Sequence, residues 1–357
     1  MRNKQELKSL QSLPLQHKIA LTQARVEEWV EHFGEDGVYV SFSGGKDSTV
    51  LLHIVRDMYP GVEAVYVDTG LEYPEIKKFV KTFDNVTILR PKMRFDEVIK
   101  KYGYPVISKE VSQAIHEARR SIELGNENTV RLKRLRGELK TGNDGKDRSQ
   151  FNCEKYEPLL RVDFRISHHC CKVMKKAPSK EYAKKSNKYP LIAQMASESI
   201  LRTQKWIQNG CNGFDMKSPV SNPMAFWMEQ DVLQYIKDNN ISIASVYGDI
   251  VYADNPEQVG FGEMISGEAN FWIEGQRPLL TTGCKRTGCI FCAFGAHCNN
   301  DARFIELKRT HPRQYEYCIG GGEYNKEGVW EPNKEGLGMG HVFDELNKLY
   351  GKRFIEY

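Results

Sequence analysis

The sequence lacks the features that would place it in a specialised class of protein. No apolar run approaches the roughly 20 residues of a membrane-spanning helix, and the first residues, Met1 to Glu6, lack the apolar core of a signal peptide. No internal repeat is present. Hydrophobic residues make up 40% and charged residues 27% of the 357 positions, so disorder, collagen-like folds and coiled coils are poor descriptions. We expect a globular cytoplasmic protein that has no membrane partner.

The sequence also has little net charge, and only the local distribution of charge is informative. Lysine and arginine total 51 against 47 aspartates and glutamates, which gives +4. Residues 131–136 contain four cations, and residues 172–188 contain seven lysines against the single Glu181. Such runs are usually solvated faces, although in a nucleotide enzyme they could bind substrate phosphates or a nucleic-acid backbone. Because no recognisable nucleic-acid module accompanies them, a nucleic-acid acceptor is kept only as an alternative partner.

Apolar patterning predicts alternating strands and helices. We predict strands over 38–42, 64–67, 86–89 and 190–193, and helices over 17–33, 48–58, 74–83, 229–238, 301–310 and 341–350. This alternation is typical of the α/β class, with a doubly wound, mostly parallel sheet of Rossmann-like type that binds ligands at the carboxyl ends of its strands.

Looser patterning divides the chain into three predicted segments. They are a helical lead-in over 1–34, a nucleotide-binding domain over 35–265 and a cysteine-rich region over 266–357. The nucleotide-binding domain would contain a helical insertion at about 108–165, in which residues 142–145 read as a turn.

The most informative local motif is Ser43-Gly44-Gly45-Lys46-Asp47-Ser48, between a predicted strand and a predicted helix. Such a turn presents backbone N–H groups, the positive end of a helix dipole, hydroxyls and a lysine to one anion. The glycines leave room for a phosphate to approach and permit positive φ. The plain alternative is an ordinary strand-to-helix turn with serine caps. The spacing is not that of a Walker A loop.

This motif and four further elements resemble the phosphoadenosine phosphosulfate reductase family, a branch of the PP-loop ATP pyrophosphatases. The resemblance follows the family's order over about residues 38–298. The further elements are Val67-Asp68-Thr69-Gly70, Cys170-Cys171-Lys172 to Lys176 with Pro178, Glu198-Ser199-Ile200-Leu201-Arg202, and Asn222-Pro223-Met224 with Trp227, Asp231-Val232 and Tyr235-Ile236.

The resemblance implies a nucleotide site for ATP or an adenylyl sulfate-type nucleotide, with Mg²⁺. Its nucleotide-binding residues would be Ser43, Gly44, Gly45, Lys46, Asp47, Ser48, Asp68, Thr69, Gly70, Glu198 and Ser199. Its catalytic residues would be Lys46, Asp47, Lys172 and Arg202. In these roles the loop cradles the pyrophosphate, Asp47 orients the loop or Mg²⁺, and Lys172 and Arg202 neutralise the leaving phosphates.

Two departures from the family pattern weaken the case for its reductase chemistry. Family reductases usually carry an arginine where this chain has Met195. They also end in a Glu-Cys-Gly-type tail that bears the nucleophilic cysteine, whereas this chain ends Lys352-Arg353-Phe354-Ile355-Glu356-Tyr357. A mobile thiolate is needed to attack a sulfonucleotide and then reach a reductant.

The nine cysteines are clustered, and in a reducing compartment clustering indicates a metal or redox site. By resemblance to the iron–sulfur branch of the family, Cys170, Cys171, Cys289 and Cys292 would hold a [4Fe-4S] cluster. Spacing alone also allows a local set, and zinc is the alternative metal. The local set is Cys284, Cys289, Cys292 and Cys298.

The remaining cysteines and a histidine pair have plainer interpretations. A lone cysteine is usually a small buried hydrophobe, although Cys211 and Cys318 are also candidate sulfur carriers, and Cys153 is isolated too. His168 and His169 precede the cysteine pair, where a surface or capping role is favoured over ligation.

We therefore expect an enzyme that splits ATP between the α- and β-phosphates and couples this adenylation to sulfur transfer. A cysteine desulfurase or another sulfur donor would be its partner, and we expect a homo-oligomer. One alternative is a reductase that releases sulfite from adenylyl sulfate or its 3′-phosphorylated form. Another is a nucleotide- or cluster-binding sensor without turnover.

Overall fold

The computed structural model describes residues 2–141, 147–254, 277–298 and 301–357. It divides into two compact units. The first comprises Met1–Asp68, Glu72–Arg90 and Ser179–Thr287, and the second comprises Thr69–Leu71, Pro91–Pro178 and Gly288–Tyr357. The predicted turn at 142–145 lies outside the described residues, and the predicted boundaries of the three segments stay a prediction.

The six predicted helices begin and end within three residues of where apolar periodicity places them, and the described residues form seven further helices that were not predicted. In chain order they are α1 (Lys4–Gln11), α2 (Leu15–Phe33), α3 (Lys46–Met58), α4 (Pro74–Val80), α5 (Phe95–Tyr102), α6 (Lys109–Glu123), α7 (Val130–Leu135), α8 (Ala177–Ser186), α9 (Ile200–Asn209), α10 (Glu229–Asp238), α11 (Arg303–Thr310), α12 (Pro312–Ile319) and α13 (Met339–Tyr350). Short 3₁₀ helices cover Glu35–Gly37, Glu154–Arg161, Ala196–Glu198 and Ser245–Tyr247, and a π-helix covers Lys172–Lys176. Among the residues just described, no helix is both long enough and apolar enough to cross a membrane.

The strands are short. They are β1 (Val38–Ser41), β2 (Glu63–Val67), β3 (Val86–Leu89), β4 (Val106–Ile107), β5 (Lys140–Thr141), β6 (Asp147–Arg148), β7 (Tyr189–Leu191), β8 (Asn212–Gly213), β9 (Val220–Ser221), β10 (Ile250–Tyr252), β11 (Leu279–Thr281), β12 (Ala293–Phe294), β13 (Glu323–Tyr324) and β14 (Trp330–Glu331).

A six-stranded sheet forms the centre of the first unit, in the order β3-β2-β1-β7-β9-β8. Its pairs are parallel, except that the edge strand β8 runs antiparallel to β9. After β1 the chain adds β2 and β3 on one side, and β7 later joins the other side. The change of side puts a topological switch point between β1 and β7, where doubly wound sheets bind their ligands. The predicted fold class is confirmed.

One apolar core supports this sheet. It extends from Leu7 to Tyr247 and includes the fully buried Trp29 and Trp227. A buried ion pair of 2.6 Å between Lys18 of α2 and Asp231 of α10 ties these two helices together. The carboxyl end of β1 is therefore held by packed elements, which fixes the loop that follows it.

The second unit contains α5–α7 and α11–α13, with a short parallel pair between β4 and β12. Within it, three arginines of the basic run at 131–136 face carboxylates, in the pairs Arg131–Glu117, Arg134–Glu110 and Arg136–Glu127. Because these three arginines already pair with carboxylates inside the unit, the run stabilises local structure and offers little unpaired positive charge to phosphates.

Candidate functional site

The predicted phosphate loop joins β1 to α3 in the first unit. Gly44 has φ +72°, and a Cβ at this position would lie 2.7 Å from Val80 Cγ2 and 2.9 Å from Ile76 Cγ2. Both distances are shorter than any ordinary contact, so only glycine lets the loop lie against α4. The glycine is therefore required by the packing of the loop's backbone against α4.

The polar groups of the loop hydrogen-bond to one another and to neighbouring residues. Ser43 donates its N–H to Ser48 Oγ at 3.1 Å, and the two serine hydroxyls are 2.9 Å apart. The first N–H of α3, on Lys46, donates to the Tyr247 hydroxyl at 3.3 Å, and that hydroxyl lies 2.5 Å from Thr287 Oγ1. An entering phosphate must take over these partners, because a helix N-terminus offers only a few free donors.

The ammonium group of Lys46 is also fully engaged. It forms an ion pair with the Glu229 carboxylate at the start of α10, and it donates to the Lys285 carbonyl at 3.0 Å. It lies 5.3 Å from the centre of the Tyr247 ring, within cation–π range. The side chain of Lys46 is only 5% exposed, so its charge is held in place for an anion at the loop.

Asp47 has an unusual environment for a carboxylate. Burial, followed by the negative charge of Glu229, raises the pKa of Asp47 to about 6, while Lys46, Arg286 and Arg202 lower it. One of its oxygens, Oδ1, is sealed from solvent and has no hydrogen-bond partner among the described residues. A buried oxygen of this kind suits a cation or a proton.

Arg202 approaches this loop from the first turn of α9. It forms an i,i+4 ion pair with Glu198, and Ser199 caps the helix by accepting the Arg202 N–H at 3.3 Å. Burial lowers the pKa of Arg202, as does the neighbouring Arg286, whereas Asp47 raises it. Met195, where the family pattern has an arginine, is buried and adds no charge.

Asp68 follows β2 and is 7% exposed. Its carboxylate lies 2.7 Å from Lys77 Nζ and 3.8 Å from Arg90 Nε, so two cations of the first unit balance it. Thr69 and Gly70 belong to the second unit, as does the exposed Lys172. The nucleotide-binding and catalytic roles of these residues stay predictions.

Four cysteines line one small cavity in the second unit. They are Cys170, Cys171, Cys289 and Cys292. The sulfurs of Cys170 and Cys171 are 3.9 Å apart, and the cavity volume is about 20 Å³. This space is close to that of one water molecule, so a cluster would require the side chains to turn outward. Within the described ranges, no three His, Cys, Asp or Glu side chains form a ready-made metal site.

The cysteine pair is electrostatically suited to bind a cation. Cys170 donates to Cys171, which lowers the pKa of Cys171 against the opposing effect of burial, and Lys109 and Lys175 lower it further. The pKa of Cys170 is raised by the same hydrogen bond and then by burial. Cys171 is thus the more acidic thiol of the pair, and a thiolate is the form that binds soft metals. The π-helix begins at the next residue, Lys172.

The other cysteines differ in access. Cys284 belongs to the first unit, and its Sγ lies 2.9 Å from the Arg286 carbonyl oxygen, close to the loop-facing Thr287. Cys298 belongs to the second unit and is exposed. Thus the alternative local ligand set is distributed over both units.

The two candidate sulfur carriers differ in access. Cys318 is 0% exposed beside the Met339 sulfur, and burial raises its pKa. A protonated thiol without access to solvent is a poor nucleophile. Burial also raises the pKa of Cys211, but this residue lines two cavities of the first unit.

The histidine pair has packing partners. The His169 ring stacks on Tyr102 at 4.9 Å, and its Nδ1 lies 2.9 Å from the Ser167 hydroxyl. Burial lowers the pKa of both His168 and His169, with like charges adding to the effect. These contacts favour the structural interpretation of the pair.

Sequence reasoning missed four residues around the loop, namely Glu229, Tyr247, Arg286 and Thr287. None of these four residues is one of those that carry the family resemblance. The only signal was position, because Glu229 opens a predicted helix and Arg286 stands between two cysteines.

One family model matches most of the chain. The model of the phosphoadenosine phosphosulfate reductase domain matches residues 37–123 and 117–294, which is most of the chain. An uncharacterised protein of Methanocaldococcus jannaschii is 38% identical over 73 residues, which are 19% of this chain and 18% of that protein. The chain thus matches less than a fifth of the length of this curated relative.

A solved structure also resembles the chain. The crystal structure of a phosphoadenylyl-sulfate reductase from Candida auris, in complex with phosphate, superposes with a TM-score of 0.36 and 14% sequence identity. The superposition covers 69% of this chain and 91% of that protein.

Proposed function

The chain belongs to the phosphoadenosine phosphosulfate reductase family and is an enzyme of this PP-loop kind, and on that premise we propose that it cleaves ATP between the α- and β-phosphates. An acceptor would become adenylated, so that sulfur can replace its oxygen. The balance of charge around the loop is the observation that supports ATP with Mg²⁺ over a metal-free sulfonucleotide.

Positively and negatively charged side chains pair with one another around the loop. Lys46 pairs with Glu229, and Arg202 pairs with Glu198. The positive charges of Arg286 and Arg202 also act on Asp47 and lower its pKa, against the larger raising effects of burial and of Glu229. A polyanion that enters a site of matched charge is opposed by its carboxylates unless a cation enters with it. Mg²⁺ commonly binds through one or two carboxylates together with substrate phosphates, and Asp47 and Glu229 are the carboxylates available here.

Each residue of the loop then has a defined task. Phosphate oxygens replace the Tyr247 hydroxyl at the Lys46 N–H and replace Glu229 at the Lys46 ammonium group. An acceptor oxygen forms a bond to the α-phosphorus while the bond to the bridging oxygen breaks and pyrophosphate leaves. Arg202 and Arg286 stabilise the charge that develops on the leaving group. Bound Mg²⁺ would supply further neutralisation of the same charge.

The four thiol groups that line the cysteine cavity are the kind of ligands that bind soft metals. Cys170, Cys171, Cys289 and Cys292 would hold a [4Fe-4S] cluster or a zinc ion, as four thiolates do elsewhere. A cluster would supply a redox or sulfur-handling centre, whereas zinc would stabilise the unit. We further propose a cysteine desulfurase or another sulfur donor as partner, and a homo-oligomeric assembly.

A sulfonucleotide reductase is the second candidate, favoured by the family and by one thiol. Cys284 is half-buried and lies near Tyr247, whose hydroxyl contacts the loop. Burial is the main reason why the pKa of Tyr247 is raised, and the charge of Cys284 adds to it. Its thiolate would attack the sulfate sulfur and displace the nucleotide, giving a thiosulfonate. An external dithiol would then be oxidised to a disulfide as sulfite leaves. Against this candidate, Cys318 is enclosed.

The deciding experiment gives the anaerobically purified full chain three substrates. They are ATP with Mg²⁺ and an acceptor mixture, adenylyl sulfate, and its 3′-phosphorylated form. AMP, pyrophosphate and sulfite are measured separately. We expect AMP and pyrophosphate in equal amounts from ATP and negligible sulfite, with both products lost in Lys46→Ala and in Ser43→Ala. Sulfite production with a dithiol reductant that is lost in Cys284→Ser would establish the reductase instead, and tight binding without any product would establish a sensor.

A further inference from the structure

A cavity of about 700 Å³ lies in the first unit, apart from the sites described above. Its walls come from α1, α2 and α9, together with residues 211–216 that follow α9. Its described lining includes no residue of the phosphate loop or of the four-cysteine cavity. Ligand pockets have volumes of roughly 300–1,000 Å³, so this cavity has the size of a binding site.

Cys211 lines this larger cavity and also a smaller one of about 240 Å³. Arg202 lines the smaller cavity. The charge of Arg202 also acts on Asp47 of the phosphate loop, where it lowers the pKa against the larger raising effects of burial and of Glu229. A group that binds covalently to Cys211 from the larger cavity can therefore face the smaller one.

Three groups around Cys211 favour negative charge on its sulfur. Burial has the largest effect on the pKa of this thiol and raises it, whereas a hydrogen bond from the Trp206 indole and the positive charges of Arg25 and Arg2 lower it. Gly210, with φ +71°, lets Arg2 come close, because a Cβ there would lie 2.6 Å from Arg2 Cζ. The thiol therefore rests protonated, and these groups stabilise the anion that forms when it reacts.

The charged residues of the larger cavity carry both signs. Arg25 pairs with Glu28. In the part of the chain that the structure describes, Arg2, Glu6 and Asp215 form no ion pair, and all three line the cavity. A guanidinium group suits a carboxylate of the ligand, and the two carboxylates suit an ammonium group. An amino acid or a short peptide carries both groups, so the cavity matches such a ligand better than a polyphosphate.

We propose that the larger cavity binds a persulfide carried by an amino acid or peptide, R–S–SH, and that Cys211 accepts the terminal sulfur. The inference rests on the proposed function and names the residue at which sulfur enters the enzyme. A thiol on the cavity wall reacts with a sulfur of the ligand, while the charged groups of the wall hold the rest of the ligand in place.

The transfer is balanced in atoms and electrons. The Cys211 sulfur forms a bond to the terminal sulfur of the donor while the S–S bond of the donor breaks. The leaving thiolate, R–S⁻, takes up the proton that Cys211 loses, so Cys–SH and R–S–SH become Cys–S–SH and R–SH. No oxidant or reductant is required. The loaded sulfur then lies beside the smaller cavity that Arg202 lines.

The test gives glutathione persulfide to the reduced full chain without ATP. Iodoacetamide stops the reaction after a series of times, and peptide mass spectrometry locates the added sulfur on each cysteine. We expect Cys211 to be loaded before Cys298, although Cys298 is the exposed thiol. Loading that merely follows exposure, with Cys211 unmodified or slower than Cys298, would overturn the inference.

Two variants test the walls of the cavity. Trp206→Phe keeps an aromatic ring but removes the hydrogen-bond donor, so loading of Cys211 should slow about tenfold. Trp29→Phe is the matched control, because Trp29 is fully buried and lines neither cavity. Arg2→Gln, at an exposed position, should raise the persulfide concentration for half-maximal loading by about threefold. Equal loading of Cys211 in Trp206→Phe, Arg2→Gln and the wild type would overturn the assignment of this cavity.

A cysteine desulfurase loaded with cysteine is the second donor, because a protein can present the same persulfide. Loading of Cys211 by glutathione persulfide assigns the cavity to a free donor, and loading by the desulfurase alone assigns it to a segment of a partner protein. Loading by neither donor overturns the inference. ATP cleavage is measured separately, since loading needs no nucleotide. AMP and pyrophosphate without loading remove only this inference, whereas loading without ATP cleavage keeps the site and removes the proposed function.

Discussion

The ion pair between Lys46 and Glu229 gives the sharpest test of how the loop receives phosphate. In Glu229→Gln the ammonium group loses its carboxylate partner, and an incoming anion no longer meets that negative charge. Two unit charges ~4 Å apart interact by about 4 kcal/mol at an effective dielectric constant of 20. The side chains are 5% and 21% exposed, so solvent screens only part of this interaction. Allowing for relaxation, we expect about 1.4 kcal/mol to reach the bound state, which is a tenfold change in affinity.

The assay is calorimetric titration with pyrophosphate, in the presence of a chelator and again with Mg²⁺. Without metal, Glu229→Gln should bind about tenfold more tightly than the wild type. With Mg²⁺ the advantage should shrink or reverse, because the variant has lost one carboxylate that would face the metal. Asp238→Asn is the control, since Asp238 is exposed at the opposite end of the same helix. Weaker metal-free binding in Glu229→Gln would refute the reasoning and would mean that Glu229 merely orients Lys46.

Three further predictions concern the loop and the cysteines. Lys46→Ala should abolish detectable ATP binding in calorimetry and should also lower the melting temperature, because it leaves the Glu229 carboxylate without its partner. The folded-state pKa of Asp47, about 6, exceeds its ordinary value of 3.8, so the folded chain binds more protons in this window. Stability should therefore fall as pH rises from about 4 to 6, by at most about 3 kcal/mol, and chemical denaturation should show a smaller fall in Asp47→Asn. Anaerobic protein should contain about four irons per chain and absorb near 400 nm. Cys170→Ser with Cys171→Ser should lose the metal and Cys284→Ser should keep it, and one zinc without iron would indicate a structural site.

Local chemistry explains which parts of the fold could be predicted. The strand ending at Ser41 and the helix starting at Lys46 each have a clear apolar pattern, and the glycines between them indicate a tight turn. The same holds for α10, whose predicted bounds agree with the structure. The π-helix at Lys172–Lys176 had no such signal, because its hydrogen-bond spacing depends on the surrounding packing.

The partners of the loop could not be predicted, because they come from distant parts of the chain. Glu229 is 183 positions from Lys46, and Tyr247 is 201 positions away. No periodicity links residues at such separations, and only the packing of α10 and of the segment near Tyr247 brings them to the loop. The same reason explains why spacing could not choose between the two cysteine sets. Cys170 and Cys289 line one cavity only because the fold of the second unit brings two distant segments together.

The hydrogen bonds and the ion pair within the loop also determine how much a ligand gains by binding. The loop's serine hydroxyls, its first helical N–H and its lysine already have partners, so a ligand gains only the difference between new and old interactions. A single phosphate could replace the Tyr247 hydroxyl but would leave the Glu229 carboxylate displaced and uncompensated. A longer polyphosphate accompanied by a cation replaces both partners and neutralises the released carboxylate. Under the proposed function, the loop's internal pairing would therefore disfavour small anions and favour a metal-bound nucleotide.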